Sequence, residues 1–425
     1  MDLTGKKLLV LGGNNMSKEI VRMARSMGVR TVVTDWYDVN RSPVKLMADE
    51  YWNESIEDYD RLAELIRENH VDGVLTGFTD SYLIPYARIC ERCGLPCYGT
   101  EEQFDCLTDK KKYKKLCREF GVPTIEAYDQ DSEDIRYPVL VKPVDGSGSR
   151  GISICDNKEQ LDAAVEKAKS LSRCGEVLIE RYMDGREATV FWMFVDGEYY
   201  LTFIGNRHVK HNQSGNNIIP LPVGYTFPAS VTPKYIEEVV PNAKKMFSSL
   251  GIQNGMMFMQ CKIEDGTCYV YDIGYRLSGS IEYKILDKVC GFDPLKMLIQ
   301  YALTGKMTDT DVADKVDPVG MKPSFNVSCL CAPGTIKEIG GLEEAKALPE
   351  VIDVVRAHYA GQTITEQMKG LLTQITVRIL GFVDSKELLY PTMEKVHDTI
   401  TITSEDGANL LLSGIEQSDI DGFVI

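Results

Sequence analysis

A chain of 425 residues, 44% of them hydrophobic, is long enough for two to four domains and too apolar for a disordered polymer. Its formal net charge of −16 argues against nonspecific nucleic-acid binding, which needs a basic footprint, but leaves room for a local basic pocket around a small anion. The apolar runs are strand-length and well short of a membrane span. The N-terminus, MDLTGKKLLVLGG, has no long apolar segment and no small-residue cleavage site, so no signal peptide is expected. Twelve cysteines at this density suit free thiols in a reducing cytoplasm. Cys90, Cys93 and Cys97 have no second pair or histidine at zinc-site spacing and are read as packing residues.

Residues 6–13, KKLLVLGG, predict a strand ending in glycines. A helix from Ser17 to about Met27, a strand ending at Asp35, a helix over about 56–69, the strand VDGVLTG, a helix over 81–93 and a short LPCY strand follow. This alternation predicts a parallel sheet covered by helices on both faces, a Rossmann-like domain over 1–100. Gly12 and Gly13 suit either a phosphate cradle or a tight turn with close helix packing, since GGNNMS lacks the full GxGxxG spacing. From Thr108 to Phe120 a lysine-rich helix carries an apolar stripe of Tyr113, Leu116, Cys117 and Phe120.

GVPTIEAY then opens a new unit containing VKPVDGSGSRGISI, a helix near 157–170 and the strand EVLIERY at 176–182. REATVFWMFV and EYYLTFIG meet at Asp196-Gly197, a hairpin signal. Residues 206 to about 228, polar and rich in Asn, Gly and Pro, predict a long functional loop. A helix over 234–249 precedes the hairpin MMFMQCKI–EDG–TCYVYDI. From about 310 the chain predicts a separate α+β module, with helices in GLEEAKALPEV and SKELLYPTMEKVHDTI.

Between its two strands, DGSGSRG offers backbone N–H groups that can curl around an anion, with Lys142 supplying a point charge beside them. Alone, the same residues suit a tight hairpin, and no GK[ST] of a Walker A motif follows. Taken together with TDKKKY, IERYMDGRE and YVYDIGYRLSG in this order, the chain over about 5–300 resembles the ATP-grasp superfamily. That group includes biotin carboxylase, the carbamoyl-phosphate synthetase large subunit, glycinamide ribonucleotide synthetase and the L-amino-acid ligases. The resemblance implies an ATP-grasp domain over 101–308, with a small lobe at about 123–182, followed by a C-terminal α+β module over 309–425. It implies that Lys110 and Lys142 contact phosphate, and that Asp145, Gly146, Ser147, Gly148, Ser149, Arg150 and Gly151 form the loop over the β- and γ-phosphates. Glu180, Arg181, Tyr182 and Met183 would border adenine, and Glu187 would hold the ribose hydroxyls.

The metal end departs from the family pattern. Gln260 stands where a first glutamate is expected, Asp272 takes the second position, Gly274 replaces an asparagine and Arg276 is retained. Asp272 and Gln260 are the candidate ligands for Mg²⁺, or Mn²⁺ as its substitute, with water and triphosphate supplying the remaining oxygens. The resemblance further implies a carboxylate–amine ligase working through an acyl phosphate, with Arg276 stabilising charge and Ser278 and Gly279 positioning the acyl group. Arg207, His208, Lys210 and His211 are candidates for binding the substrate carboxylate or deprotonating an incoming ammonium. The C-terminal segment resembles most the L-amino-acid ligase branch, and it has no lysine in an AMKM setting that would carry biotin. Expected partners are a small carboxylate and an amine, with a homodimer as an option and neither nucleic acid nor membrane. A purine-pathway or carbamoyl-phosphate-type ligase, and an ATP-binding module with little turnover, are the alternatives.

Overall fold

The computed structural model describes residues 2–145, 151–210 and 221–424. The N-terminal strands β1 (Lys7–Leu11), β2 (Arg30–Thr34), β3 (Glu50–Trp52) and β4 (Gly73–Leu75) form a parallel sheet in the order β3-β2-β1-β4. The runs LLVL and TVVT are buried throughout, as expected of parallel strands covered on both faces. Gly12, at φ +81°, turns the chain after β1, and a Cβ there would meet the Tyr82 ring at 2.2 Å. Gly13 donates its N–H to Asp35 Oδ2 at 2.8 Å, so this pair serves the tight turn and close packing.

LPCY adds no fifth strand. Tyr98 instead docks on the next domain: Tyr275 Oη donates to the Tyr98 carbonyl at 2.8 Å and Tyr98 Oη to the Tyr275 carbonyl at 3.3 Å. The lysine-rich helix forms, and a further helix precedes it. A first helix, Glu101–Thr108, ends where Asp109 caps a second, Lys110–Phe120, by accepting from the N–H groups of Lys111 and Lys112.

The small lobe is an antiparallel sheet of β5 (Ala127–Tyr128), β6 (Val139–Pro143), β7 (Ser153–Cys155) and β8 (Val177–Arg181), ordered β5-β8-β6-β7. Leu161, Ala164, Val165 and Ala168 of the helix Lys158–Leu171 bury against Val139, Val141 and Ile179, giving this lobe its own core.

The large lobe comprises β9 (Glu187–Val195), β10 (Glu198–Lys210), β11 (Leu221–Phe227), β12 (Gly255–Glu264) and β13 (Thr267–Gly274). The hairpin at Asp196-Gly197 forms as predicted, with both residues at positive φ. Of the loop predicted over 206–228, residues 211–220 lie outside the described residues, and the flanks are strand: β10 runs on to Lys210 and pairs antiparallel with β11. Gly, Pro and Asn masked an apolar strand, LPVGYTF, whose seven residues are all buried.

The C-terminal strands are β14 (Ser324–Leu330), β15 (Gly334–Gly340), β16 (Val351–Arg356), β17 (Thr363–Ile364), β18 (Ile375–Phe382) and β19 (Thr401–Ser404). This α+β segment joins the large sheet through its first strand. β14 pairs with β11, so one eight-stranded sheet runs β13-β12-β9-β10-β11-β14-β18-β16, while β17-β15-β19 form a small sheet beside it. The unpaired edge that β11 would otherwise expose is thereby covered.

Candidate functional site

The small-lobe sheet meets the large sheet where Lys142 contacts Tyr271, and the charged residues around this junction form two clusters. In the first, Lys142 on β6 donates to Glu180 Oε2 on β8 at 2.6 Å and to the Tyr271 carbonyl on β13 at 3.2 Å, so it reaches from one lobe to the other. Lys114 pairs with the other Glu180 oxygen and donates to the Ile125 carbonyl at 2.7 Å and Thr124 Oγ1 at 3.0 Å. Burial opposes the ionisation of Glu180, but Lys142 and Lys114 outweigh it and hold the carboxyl below its usual range. Burial lowers Lys114, whose ammonium is 1% exposed and is committed to structure.

The second cluster follows from strand register. Lys262 on β12, Glu187 on β9, Arg207 on β10 and Tyr225 on β11 are directly opposite one another and share a face. Glu187 pairs with Arg207, with Lys262 at 2.9 Å, and accepts from Tyr271 Oη at 3.0 Å. Burial would raise its carboxyl, yet Arg207 and Lys262 keep it below the usual range. The carboxylate expected to meet a ribose diol is thus charged and held by Arg207, Lys262 and Tyr271.

On the same face, Gln260 stands opposite both Asp272 and Thr189. Lys110 Nζ lies 3.9 Å from Asp272 Oδ1 and donates to the Val144 carbonyl at 3.4 Å. Asp272 is 40% exposed, yet the protein packed around it raises its carboxyl, with Lys110 pulling against this and Asp80 adding to it. A side chain at Gly274 would put its Cβ 2.4 Å from the Phe258 ring, so the space an asparagine would need is filled. Among the described residues no group of three or more His, Cys, Asp or Glu is placed to hold a metal. Asp272 and Gln260 fit a hard cation that takes most of its oxygens from water and phosphate, not a protein cage.

Arg276 pairs with neither Asp272 nor Glu282. Its Nε and one Nη donate to Asp80 Oδ1 and Oδ2 at 2.6 and 2.5 Å, and its other Nη donates to the Leu277 carbonyl at 3.0 Å. Asp80 comes from the N-terminal domain, so this fork also ties two domains together. Ser278 Oγ and Ser280 Oγ lie 2.6 Å apart, and no atom would crowd a Cβ at Gly279.

Other predicted residues lie at the margins. Arg181 forms a two-pronged pair with Glu264, both contacts at 2.9 Å, at the junction of the lobes. Tyr182 is half-buried, its N–H donating to Pro138, and Met183 is buried. Asp145 accepts from Ser172 Oγ and the Arg173 N–H, both at 2.8 Å, anchoring one foot of the glycine-rich segment, and Gly151 at φ +78° forms the other. Gly146, Ser147, Gly148, Ser149, Arg150 and His211 lie outside the described residues.

Two substrate expectations are corrected. His208 is 6% exposed, its Nε2 is 2.8 Å from Thr226 Oγ1, and burial pushes its imidazole down to about 3, so it is no base near neutrality. Lys210 turns to Ser413 and Glu416 of the C-terminal segment, each at 3.2 Å. Lys114, Lys262, Tyr271 and Asp80 were missed. Lys262 alternates in phase with Gln260 and was findable from strand pairing, Tyr271 is the extra residue of a bulge between β12 and β13, and Asp80 is brought in by packing of the N-terminal segment.

Residues 135–282 match the ATP-grasp domain family. The chain contains an ATP-grasp domain. Its nearly full length superimposes on known structures of this architecture. The L-amino acid ligase of Bacillus licheniformis matches with a TM-score of 0.76 at 22% identity, covering 95% of this chain and 99% of that one. The biotin carboxylase domain of the Hydrogenobacter thermophilus 2-oxoglutarate carboxylase, in complex with MgADP, ADP and bicarbonate, gives 0.74 at 19% identity, covering 95% and 91%. In sequence, the carbamoyl phosphate synthase large chain of Clostridium beijerinckii is 24% identical over 438 residues, covering 96% of this ATP-grasp chain. The chain spans 38% of that relative's length. Among the described residues no helix is long and apolar enough to cross a membrane.

Proposed function

We propose that this ATP-grasp chain is a carboxylate–amine ligase. A small carboxylate attacks the γ-phosphorus of ATP, the resulting acyl phosphate is taken by an amine to form an amide or peptide-like bond, and ADP and phosphate are released. The observation that carries this reading is the meeting of Lys142 from the small lobe with the Tyr271–Asp272 stretch of the large lobe, where Lys110 also approaches Asp272. A triphosphate between these groups would find cations from one lobe and a hard-metal ligand from the other. Lys110, Lys142 and the 145–151 segment position and neutralise the phosphates, Glu180–Met183 line adenine, and Glu187 takes the ribose. Ser278 and Gly279 position the acyl group. Asp272 and Gln260 would hold Mg²⁺, or Mn²⁺, which would supply neutralisation of the phosphate charge. The similarity to an L-amino acid ligase supports a small carboxylate and an amine as substrates, and the dimeric biotin carboxylase domain supports a homodimer.

The test is a screen of paired carboxylates and amines for ADP and phosphate formation. A defined pair that releases phosphate supports the ligase. A second reading, a nucleotide-binding protein with little turnover, is favoured by Gln260 and by the Phe258 ring that fills the asparagine space beside Gly274. ATP binding with no pair supporting phosphate release would select it.

The metal assignment makes its own prediction. Gln260→Glu places a second carboxylate opposite Asp272, so the ATP complex should need several-fold less Mg²⁺ or Mn²⁺ for half-maximal formation. Titrating metal at fixed ATP measures this. An unchanged metal requirement would mean that residue 260 does not face the ion.

A further inference from the structure

Segment 413–424 runs along the back of β10, on the face turned away from Glu187 and Arg207. Asn206 and Lys210 alternate with Arg207 and so stand on that face. Lys210 reaches Ser413 and Glu416, and Asn206, 3% exposed, donates to the Phe423 carbonyl at 2.7 Å. The Ser230 N–H donates to the same carbonyl at 2.7 Å, and Val424 bridges to Ala229. Ile415, Ile420 and Val424 are buried in the C-terminal core, so the segment is held in place without the Phe423 ring.

The ring has a different partner. The Arg186 guanidinium lies 3.5 Å from its centroid. Arg186 also donates one long bond, 3.4 Å, to Asn206 Oδ1, and among the described residues no carboxylate is within ion-pair distance of it. Burial opposes the arginine's charge, which leaves the electron-rich face of Phe423 as its main electrostatic partner.

Arg186 stands at the exit from the lobe junction, between Gly185, at φ +153°, and Glu187. The Gly185 carbonyl accepts from Lys262 Nζ at 3.4 Å and the Arg186 carbonyl from the Ile263 N–H at 2.9 Å. These bonds tie the connection to β12 from one side, and the Arg186 side chain ties it to segment 413–424 from the other. Arg207, Lys262 and Tyr271 hold the oxygens of Glu187; the contact behind the sheet holds the backbone that carries it, next to a glycine that would otherwise let it turn.

We propose that Phe423 is a positioning residue of the nucleotide site: its ring fixes Arg186, and through Arg186 the start of β9, so that Glu187 meets the ribose diol in one orientation. This rests on the reading that Glu187 takes the ribose. Phe423 touches no substrate, and its effect is on affinity for the nucleoside end of ATP.

The test is calorimetric titration of the full chain, in MgCl₂, with ATP and with 2′,3′-dideoxy-ATP, which has no diol for Glu187 to hold. F423A should bind ATP about three- to tenfold more weakly, the size of one cation–π contact at a half-buried site. Its affinity for dideoxy-ATP should stay within about twofold of wild type, because the two losses are coupled through the same carboxylate. F423L keeps apolar bulk without a π face and should lose as much as F423A, while F423W keeps the face and should restore ATP affinity. Thermal transitions check that each variant is folded, and F423L and F423W carry the test if F423A does not fold. ATP affinity unchanged in F423A, or fully kept in F423L, overturns the proposal. Equal losses for both nucleotides overturn it too, since the ring would then act on the lobe junction as a whole. Wild type that binds the two nucleotides equally removes the ribose role of Glu187, and wild type that binds no ATP removes the nucleotide reading; the positioning role falls with either.

Discussion

Arg276→Ala is expected to cut phosphate release, with a productive carboxylate and amine supplied, by about 10²–10³, the loss seen when one preorganised oxyanion donor is removed. Three of the five guanidinium N–H groups are engaged, two on Asp80 and one on the Leu277 carbonyl, so two remain to meet an acyl phosphate or its tetrahedral oxyanion. Lysine should recover little, because one ammonium cannot reproduce the fork. The variant should still bind ATP, since Lys110 and Lys142 are untouched. Because Arg276 also ties the N-terminal domain through Asp80, R276A should lower the thermal transition as well, and Asp80→Asn is the control that weakens this tie while keeping the arginine. Single-turnover phosphate release in R276A and D80N decides between the roles. Near-wild-type release in folded R276A removes it from the catalytic set, and equal losses in both variants assign it to domain docking.

The second large effect is on nucleotide affinity. Lys142→Ala removes a charged phosphate contact worth about 1.5–3 kcal/mol, so ATP should bind about ten- to a hundredfold more weakly by calorimetry. Glu180 keeps Lys114 as a partner, so the variant should fold with a modestly lowered thermal transition. Lys114→Ala is the contrasting case: it strips the same carboxylate from its fully buried side, together with the contacts to Thr124 and Ile125, and should act on folding more than on ATP. An ATP affinity unchanged in folded K142A would end the phosphate role of Lys142.

The parts of the site that were legible beforehand are those written in local chain order. Lys142 ends a short apolar strand before a Gly-Ser run, Glu180 and Glu187 flank a lobe junction, and Gln260 and Asp272 lie on the two strands of one hairpin, brought opposite one another by a bulge that shifts the register set by the EDG turn. The parallel N-terminal sheet was legible for the same reason, since buried β-α units carry continuous apolar runs. The failures were also physical. Pro and Gly in LPVGYTF read as loop signals, yet pairing to β10 and β14 on both sides made a buried strand of it. A histidine read as titrating near neutrality lost that property on burial against Thr226.

By itself, the sequence determined the ATP-grasp order of motifs, the departures at Gln260 and Gly274, and the buried apolar runs of the N-terminal parallel sheet, because these depend on residue type and spacing along the chain. Only the tertiary structure decided which charges meet. Asp80 reaches Arg276 across 196 positions of sequence, Arg207 meets Glu187 through strand register, and Phe258 fills the space beside Gly274. Ionisation and hydrogen bonding are set within a few ångströms in space, and packing brings to that distance groups whose separation along the chain carries no trace of it.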